Sequence, residues 1–223
     1  MRRLLPLVLT TAAVLPAARG ADDDGFTPLF DGKTLDGWTF IIKPDNDGKK
    51  SDPKGIWSVT DGYIRCTGKP NGCLVTAKEY GDYVLRLKWR FPADSRGGNS
   101  GVLLHVRDDN YWPTSVEAQL QSGRAGDIWL IYPPDVKLDV DLKRQDPKQA
   151  RHYFRVEPPT PPEKKFGEWN DYEITCKGGD VTLAVNNVTV NEGKNGNLKK
   201  GRIALQSEGT EIHFKDVRIK SLK

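Results

Sequence analysis

Of the 223 residues, only three are cysteine, three histidine and one methionine. His105, His152 and His213 have no zinc-like spacing, and neither Cys-x-x-Cys nor His-x-x-x-His occurs, so no metal site is assigned. Asp45-Asn46-Asp47-Gly48 resembles part of a calcium loop, but Lys54 stands near where a terminal Glu is needed. A phosphate loop, G-x-G-x-x-G and G-x-S-x-G are all missing, which removes nucleotide-binding and serine-hydrolase readings and leaves no cofactor to commit to. The sequence also lacks the 3.6-residue apolar periodicity of long amphipathic helices and the long apolar runs of a membrane bundle. Disorder is excluded by an aromatic content of 9%, including six Trp.

Charge of one sign is scarce once the N-terminus is considered. Arg2 and Arg3 open the chain, Leu4 to Leu15 form an apolar run, and Ala18-Arg19-Gly20 ends it in small residues. Residues 1–20 therefore read as a signal peptide cleaved near Ala21, placing the mature protein in the periplasm or outside the cell. Pro6 and Pro16 argue against a buried helix there. That segment holds three Arg and no acid, so the formal +4 falls to +1. Nucleic acid and polybasic membrane binding both lose their electrostatic basis.

What remains, residues 21–223, shows no composition shift and reads as a single all-β domain. The clearest alternation is Tyr83, Leu85, Leu87, Trp89 and Phe91 against Val84, Arg86, Lys88 and Arg90. Similar short segments recur between Gly, Pro, Asn and Asp, which implies two packed antiparallel sheets, a β-sandwich or jelly roll. Pro158-Pro159-Thr160-Pro161-Pro162 reads as a long surface loop. Cys66 and Cys73 flank the turn Gly68–Gly72, and a symmetric hairpin would set them opposite each other, either bridged or as buried thiols. Cys176 reads as a small core residue.

Alternation also assigns faces. Val102, Leu104 and Val106 are expected in the core, which turns Leu103, His105 and Arg107 outward. On the next segment Val116, Ala118 and Leu120 are core, leaving Ser115, Glu117, Gln119 and Gln121 on the other face. A carboxylate, an imidazole, a guanidinium and two amides make a face unlike an ordinary hydrated one, and suggest a ligand cleft. Tyr111, Trp112, Trp129 and Tyr132 supply flat rings nearby, which suit the C–H faces of sugars. Trp169 is expected to plug the core.

Six segments carry a family resemblance: GFTPLFDGKTLDGW (25–38), CTGKPNG (66–72), GNSGVLLHVR (98–107), VEAQLQSGRAGDIWLI (116–131), GEWNDYEI (167–174) and GRIALQSEGTEIHFKDVRIK (201–220). In order and kind they resemble the 3-keto-disaccharide hydrolase domain family of exported bacterial proteins. The resemblance implies a concanavalin A-like jelly roll, a cleft on its concave sheet, and action on glycosides oxidised at carbon 3.

Residue chemistry fits that implication. The strand from Glu117 to Gln121 resembles the Glu-x-Asp-x-Glu strand of laminarinase-type jelly rolls, with amides in place of two acids. Ordinary glycosidases need two carboxyls about 5–5.5 Å or 6.5–9.5 Å apart, and this strand supplies one. A 3-keto sugar needs less, because the ketone acidifies the carbon-2 hydrogen. Glu117 is then the expected base, with His105 and Arg107 stabilising the enolate. Asp127 or Glu208 serves as acid, and Gln119, Gln121, Gln206, Tyr111, Trp112 and Trp129 bind substrate. A non-catalytic carbohydrate-binding module on the same fold is the rival reading.

Overall fold

The computed structural model describes residues 24–158 and 162–223. The expected signal peptide, residues 1–20, lies outside them. Among the described residues, sixteen strands follow in order: β1 Thr27–Pro28, β2 Trp38–Ile42, β3 Trp57–Thr60, β4 Tyr63–Cys66, β5 Gly72–Thr76, β6 Tyr83–Arg90, β7 Gly101–Val106 and β8 Ser115–Gln119. The second half holds β9 Ile128–Ile131, β10 Gln145–Asp146, β11 Gln149–Tyr153, β12 Asn170–Lys177, β13 Asp180–Val185, β14 Val188–Gly193, β15 Arg202–Ser207 and β16 Ile212–Ser221. Helix among the described residues is confined to two short 3-10 turns.

The strands form two antiparallel sheets. The back sheet runs β14-β13-β12-β6-β16-β4-β3, with β1 beside β16; the front sheet runs β10-β11-β9-β8-β7-β15-β5-β2. The two differ in how their side chains are covered. Along β6, β12 and β13 buried residues alternate with partly exposed ones, as expected of a sheet with one wet face. In β5, β7 and β8 every residue is buried, so something covers both faces of the front sheet's centre. Trp57, Trp89, Tyr83, Tyr172 and Phe214 fill the space between the sheets. A second apolar cluster lies on the other face of the front sheet, built from Ile41, Cys73, Val75, Leu103, Val106 and Ala204 with Tyr111 against it.

Three expectations change. The turn after Cys66 is a crossover between sheets: β4 pairs with β3 and β16, whereas β5 pairs with β2 and β15. Cys66 therefore faces the core and Cys73 the second cluster, and all three cysteines are free and buried. Val106 leaves the core for the second cluster, because a register irregularity interrupts the pairing of β7 with β15. Trp169 does not plug the core; it lies half-buried on the back sheet's outer face, under Arg90 and Lys215 and edge-on to Tyr63.

Burial pushes the Cys66 thiol up to about 11 and that of Cys176 to about 12, and raises Cys73 as well. Since the thiolate is the reactive form, we expect a thiol-specific disulfide reagent at pH 8 to leave native protein unlabelled and to titrate three thiols after denaturation. Rapid labelling of the native fold would contradict this burial.

Candidate functional site

The covering of the front sheet is a cleft of about 760 Å³ lined by Glu117, Gln119, Gln121, Trp129, Arg151 and Glu208, among others. Glu117 sits mid-strand in β8, across from Leu103 of β7 and Trp129 of β9. Gly101 makes room for its side chain: a Cβ there would lie 2.3 Å from Glu117 Oε1 and 2.8 Å from its Cγ. The carboxyl thus folds over β7 in place of a side chain, and Glu117 as a residue is only 4% exposed.

Burial is the main reason its pKa rises to about 8, with the nearby Glu208 carboxyl raising it further and Arg151 opposing. Glu208, just past the end of β15, is lifted to about 7, also mainly by burial; a hydrogen bond from Asn99 and the charge of Arg151 pull it back. Two carboxyls and a guanidinium therefore share one electrostatic environment. Perturbed acids converging in a cleft mark functional sites more often than structural ones.

Unpartnered polar atoms point to the same place. Of nine buried side-chain atoms without a hydrogen-bond partner among the described residues, five belong to Asn99, Glu117, Trp129 and Gln206. Such atoms are costly in a finished core and are expected where a ligand supplies the missing bonds. A larger hollow of about 920 Å³ on the back sheet's outer face has no such character. It is lined by Arg86 paired with Glu173 and Lys88 paired with Asp171, and these ion pairs already satisfy one another.

The cleft's far wall is a stack. Trp129 lies face to face with His152 of β11, centroids 4.1 Å apart and planes 10° apart, with the Arg151 guanidinium 5.0 Å from the indole centroid. His152 is fixed from both sides, its Nε2 2.8 Å from Asp127 Oδ2 and its Nδ1 3.0 Å from Asp146 Oδ2. Trp112, Ile131, Tyr132 and Pro133 line the cleft as well. An indole plane beside carboxyls, amides and one guanidinium offers both stacking and hydrogen bonds, which a sugar can use together. Among the described residues no group of three or more His, Cys, Asp or Glu is arranged to hold a metal ion.

Glu117, Gln119, Gln121, Trp112, Trp129 and Glu208 thus meet in one cleft, Trp129 from strand β9. Gln119 is less free than its position suggests, because its Oε1 accepts from the backbone N–H groups of Leu120 and Gln121. Gln206 is buried beneath the cleft rather than along its wall, and Tyr111 belongs to the apolar cluster beside it.

Three expected residues are elsewhere. At φ +54°, His105 breaks the alternation of β7, and its ring nitrogens lie 2.8 Å from the Leu198 carbonyl and 3.0 Å from that of Gly81, near Tyr83. Arg107, beyond that irregularity, is exposed and reaches the Lys200 carbonyl at 3.5 Å. Asp127 is buried, with one oxygen committed to His152 and the other to the Arg155 N–H. Arg151 and His152 enter the site without having been singled out as site residues. The only hint was a pair of basic residues preceding Tyr153, in a segment, Gln149–Tyr153, too polar to show alternation.

Known proteins are similar to this chain in sequence and in fold. A model of the 3-keto-alpha-glucoside-1,2-lyase-like domain matches residues 25–220. A 3-keto-disaccharide hydrolase of Bacteroides thetaiotaomicron is 25% identical, over 90% of this chain and 80% of its own. A crystal structure from Parabacteroides distasonis, described as a glycosyl hydrolase, shares 23% identity and a TM-score of 0.61, covering 90% of this chain and 95% of that one. A carbohydrate-binding module from Bacillus subtilis shares the fold at 10% identity and TM-score 0.58, over 83% of this chain and 96% of the other.

Proposed function

From membership of the 3-keto-α-glucoside-1,2-lyase-like family, to which this chain belongs, we propose that its cleft cleaves glycosides bearing a ketone at carbon 3. The observation that carries the reading is the pair Glu117, buried, and Glu208, half-buried, both shifted toward neutrality and both within the influence of Arg151. A glycosidase acting on an unoxidised sugar must stabilise an oxocarbenium ion, for which an ionised carboxylate at neutral pH is valuable. Carboxyls that titrate near 7 and 8 instead suit proton transfer as a coupled pair sharing one proton, the reactive form being the one in which that proton sits on Glu208.

The reaction then runs by elimination and hydration. Glu117 takes the hydrogen from carbon 2, and the C–H electrons form the enolate, whose oxygen on carbon 3 is stabilised by Arg151. Among the described residues lining the cleft, Arg151 is the one Lys or Arg, and it takes the part expected of Arg107 and His105. The enolate collapses, carbon 1 joins carbon 2 in a double bond, and the glycosidic oxygen leaves with the proton of Glu208. Water adds at carbon 1, carbon 2 regains a proton, and the products are a free 3-keto sugar and the released alcohol. Trp129 stacks on the sugar. An N-terminal leader at residues 1–20 fits work outside the cytoplasm.

The test pairs a 3-keto glucoside with its unoxidised parent. We expect aglycone release from the ketone only, with kcat/KM following a bell whose limbs near 7 and 8 belong to the carboxyl pair as a unit. Tight binding of both sugars with release from neither would favour the binding-module reading.

A further inference from the structure

We propose that Gln206 is a positioning residue for Glu117, its amide Nε2 donating to Glu117 Oε1 across the gap left by Gly101. The inference rests on the reading of Glu117 as a proton acceptor, but its geometry stands apart from any substrate. β15 pairs with β7 so that Leu205 lies across from Val102. One residue further, that antiparallel register sets Gln206 beside Gly101, and the Ser100 hydroxyl donating to the Gln206 carbonyl at 2.8 Å ties the two strands together there. Gln206 alternates with the core residue Leu205, so it shares a face with Cys73, its partner on β5. Neighbouring side chains on one face start about 4.5–5.5 Å apart at Cβ, well within reach of a glutamine amide.

Gly101 has no side chain, and Glu117 fills its place. Glu117 Oε1 is therefore where a side chain of β7 would be, directly beside the amide of Gln206. Three atoms at this junction lack partners: Glu117 Oε1, Gln206 Nε2 and Gln206 Oε1. Gln206 is 1% exposed, so water does not serve it from the cleft. A rotation of the amide pairs a donor with an acceptor and leaves Gln206 Oε1 toward the Cys73 side. The bond strengthens when Glu117 is ionised, because a charged acceptor makes the stronger hydrogen bond. Gln206 thereby holds the carboxylate over the cleft floor in one rotamer and opposes the burial that favours its neutral form. The other groups acting on Glu117 are Glu208, Arg151, Cys73 and, through the sheet, Tyr172.

Gln206→Met keeps the length and removes the amide. Infrared difference spectroscopy of carboxyl titration, with Glu117→Gln identifying the band, reads Glu117 without substrate. We expect the Glu117 midpoint to move up by about one pH unit in Gln206→Met, and kcat/KM below that midpoint to fall about tenfold while the alkaline rate changes little. Gln206→Glu, a like charge in the same position, moves the midpoint up further. An unmoved midpoint in Gln206→Met overturns the proposal. Should that variant not fold, the Gln206 side-chain amide proton in the parent protein must shift with the Glu117 titration, and a flat amide signal is equally decisive against it. If the midpoint moves while the parent never turns over a 3-keto glycoside, the positioning role stands and the proposed activity falls.

Discussion

Glu117→Gln is expected to cut kcat on a 3-keto glycoside by about 10²–10⁴-fold with little change in affinity, because the amide keeps the shape but cannot accept a proton. The leaving group separates its role from that of Glu208. With a nitrophenyl aglycone, which departs without protonation, Glu208→Gln should retain most of the rate while Glu117→Gln does not. The reverse pattern would exchange the two roles, and parental rates in both would remove the carboxyl pair from the chemistry.

The same substitution is expected to stabilise the fold in alkali. Glu117 titrates near 8 in the folded protein, well above its ordinary value of 4.5. Folded protein therefore holds a proton that unfolded chain has released, and the associated stability, complete below about pH 4.5, disappears as pH rises through 8. Above that, ionised Glu117 opposes folding by on the order of 5 kcal/mol. Chemical denaturation at pH 9 should show Glu117→Gln more stable than its parent, with the difference gone by pH 4. Equal stability at pH 9 would mean that Glu117 is better solvated than its burial indicates.

Asp127→Ala is expected to do the opposite: to lower stability before it touches chemistry. Its two oxygens hold His152 Nε2 at 2.8 Å and the Arg155 N–H at 2.8 Å, all of them buried. Arg155 in turn bonds the Ala125 carbonyl and Glu163, whose carboxylate also accepts from the Gly123 and Ala125 N–H groups. Removing Asp127 strands both the His152 ring and the Arg155 N–H. Leaving two buried hydrogen-bonding groups without their partner costs about 1–3 kcal/mol each, or roughly 10 °C in Tm for a domain of this size. A calorimetric Tm within about 2 °C of the parent would show that the network is dispensable. Residual activity at low temperature should remain substantial, since Asp127 lies behind the Trp129–His152 stack and not in the cleft.

Period-two alternation served well wherever a strand has one wet face. Tyr83 to Phe91 and Tyr172 to Cys176 could be assigned to the core from the sequence alone, and so could the outward turn of Glu117 and Gln119. Alternation failed at His105, where a left-handed backbone conformation reverses the facing of every residue beyond it, so that a histidine expected in the cleft fastens the edge of the core instead. It was silent on Arg151 and His152, whose strand is mostly polar and exposed and owes its place to pairing with β9. Cys66 and Cys73 misled for another reason. A Gly- and Pro-rich turn between apolar segments marks a change of direction, and carries no information on whether the chain stays in one sheet.

The slot at Gly101 has a consequence for sorting chains of this fold. Any residue with a Cβ at this position would displace the Glu117 carboxyl by more than an ångström or push β7 away from its neighbours. Sugar-facing surfaces elsewhere on the sheet would be untouched by that change. A single backbone position thus fixes where the Glu117 carboxyl lies, independently of whether the cleft can hold a carbohydrate. Among homologues that carry Glu at the position of Glu117, those with alanine or larger at the position of Gly101, diagonal to it on the neighbouring strand, are expected to hold that acid differently from those with glycine.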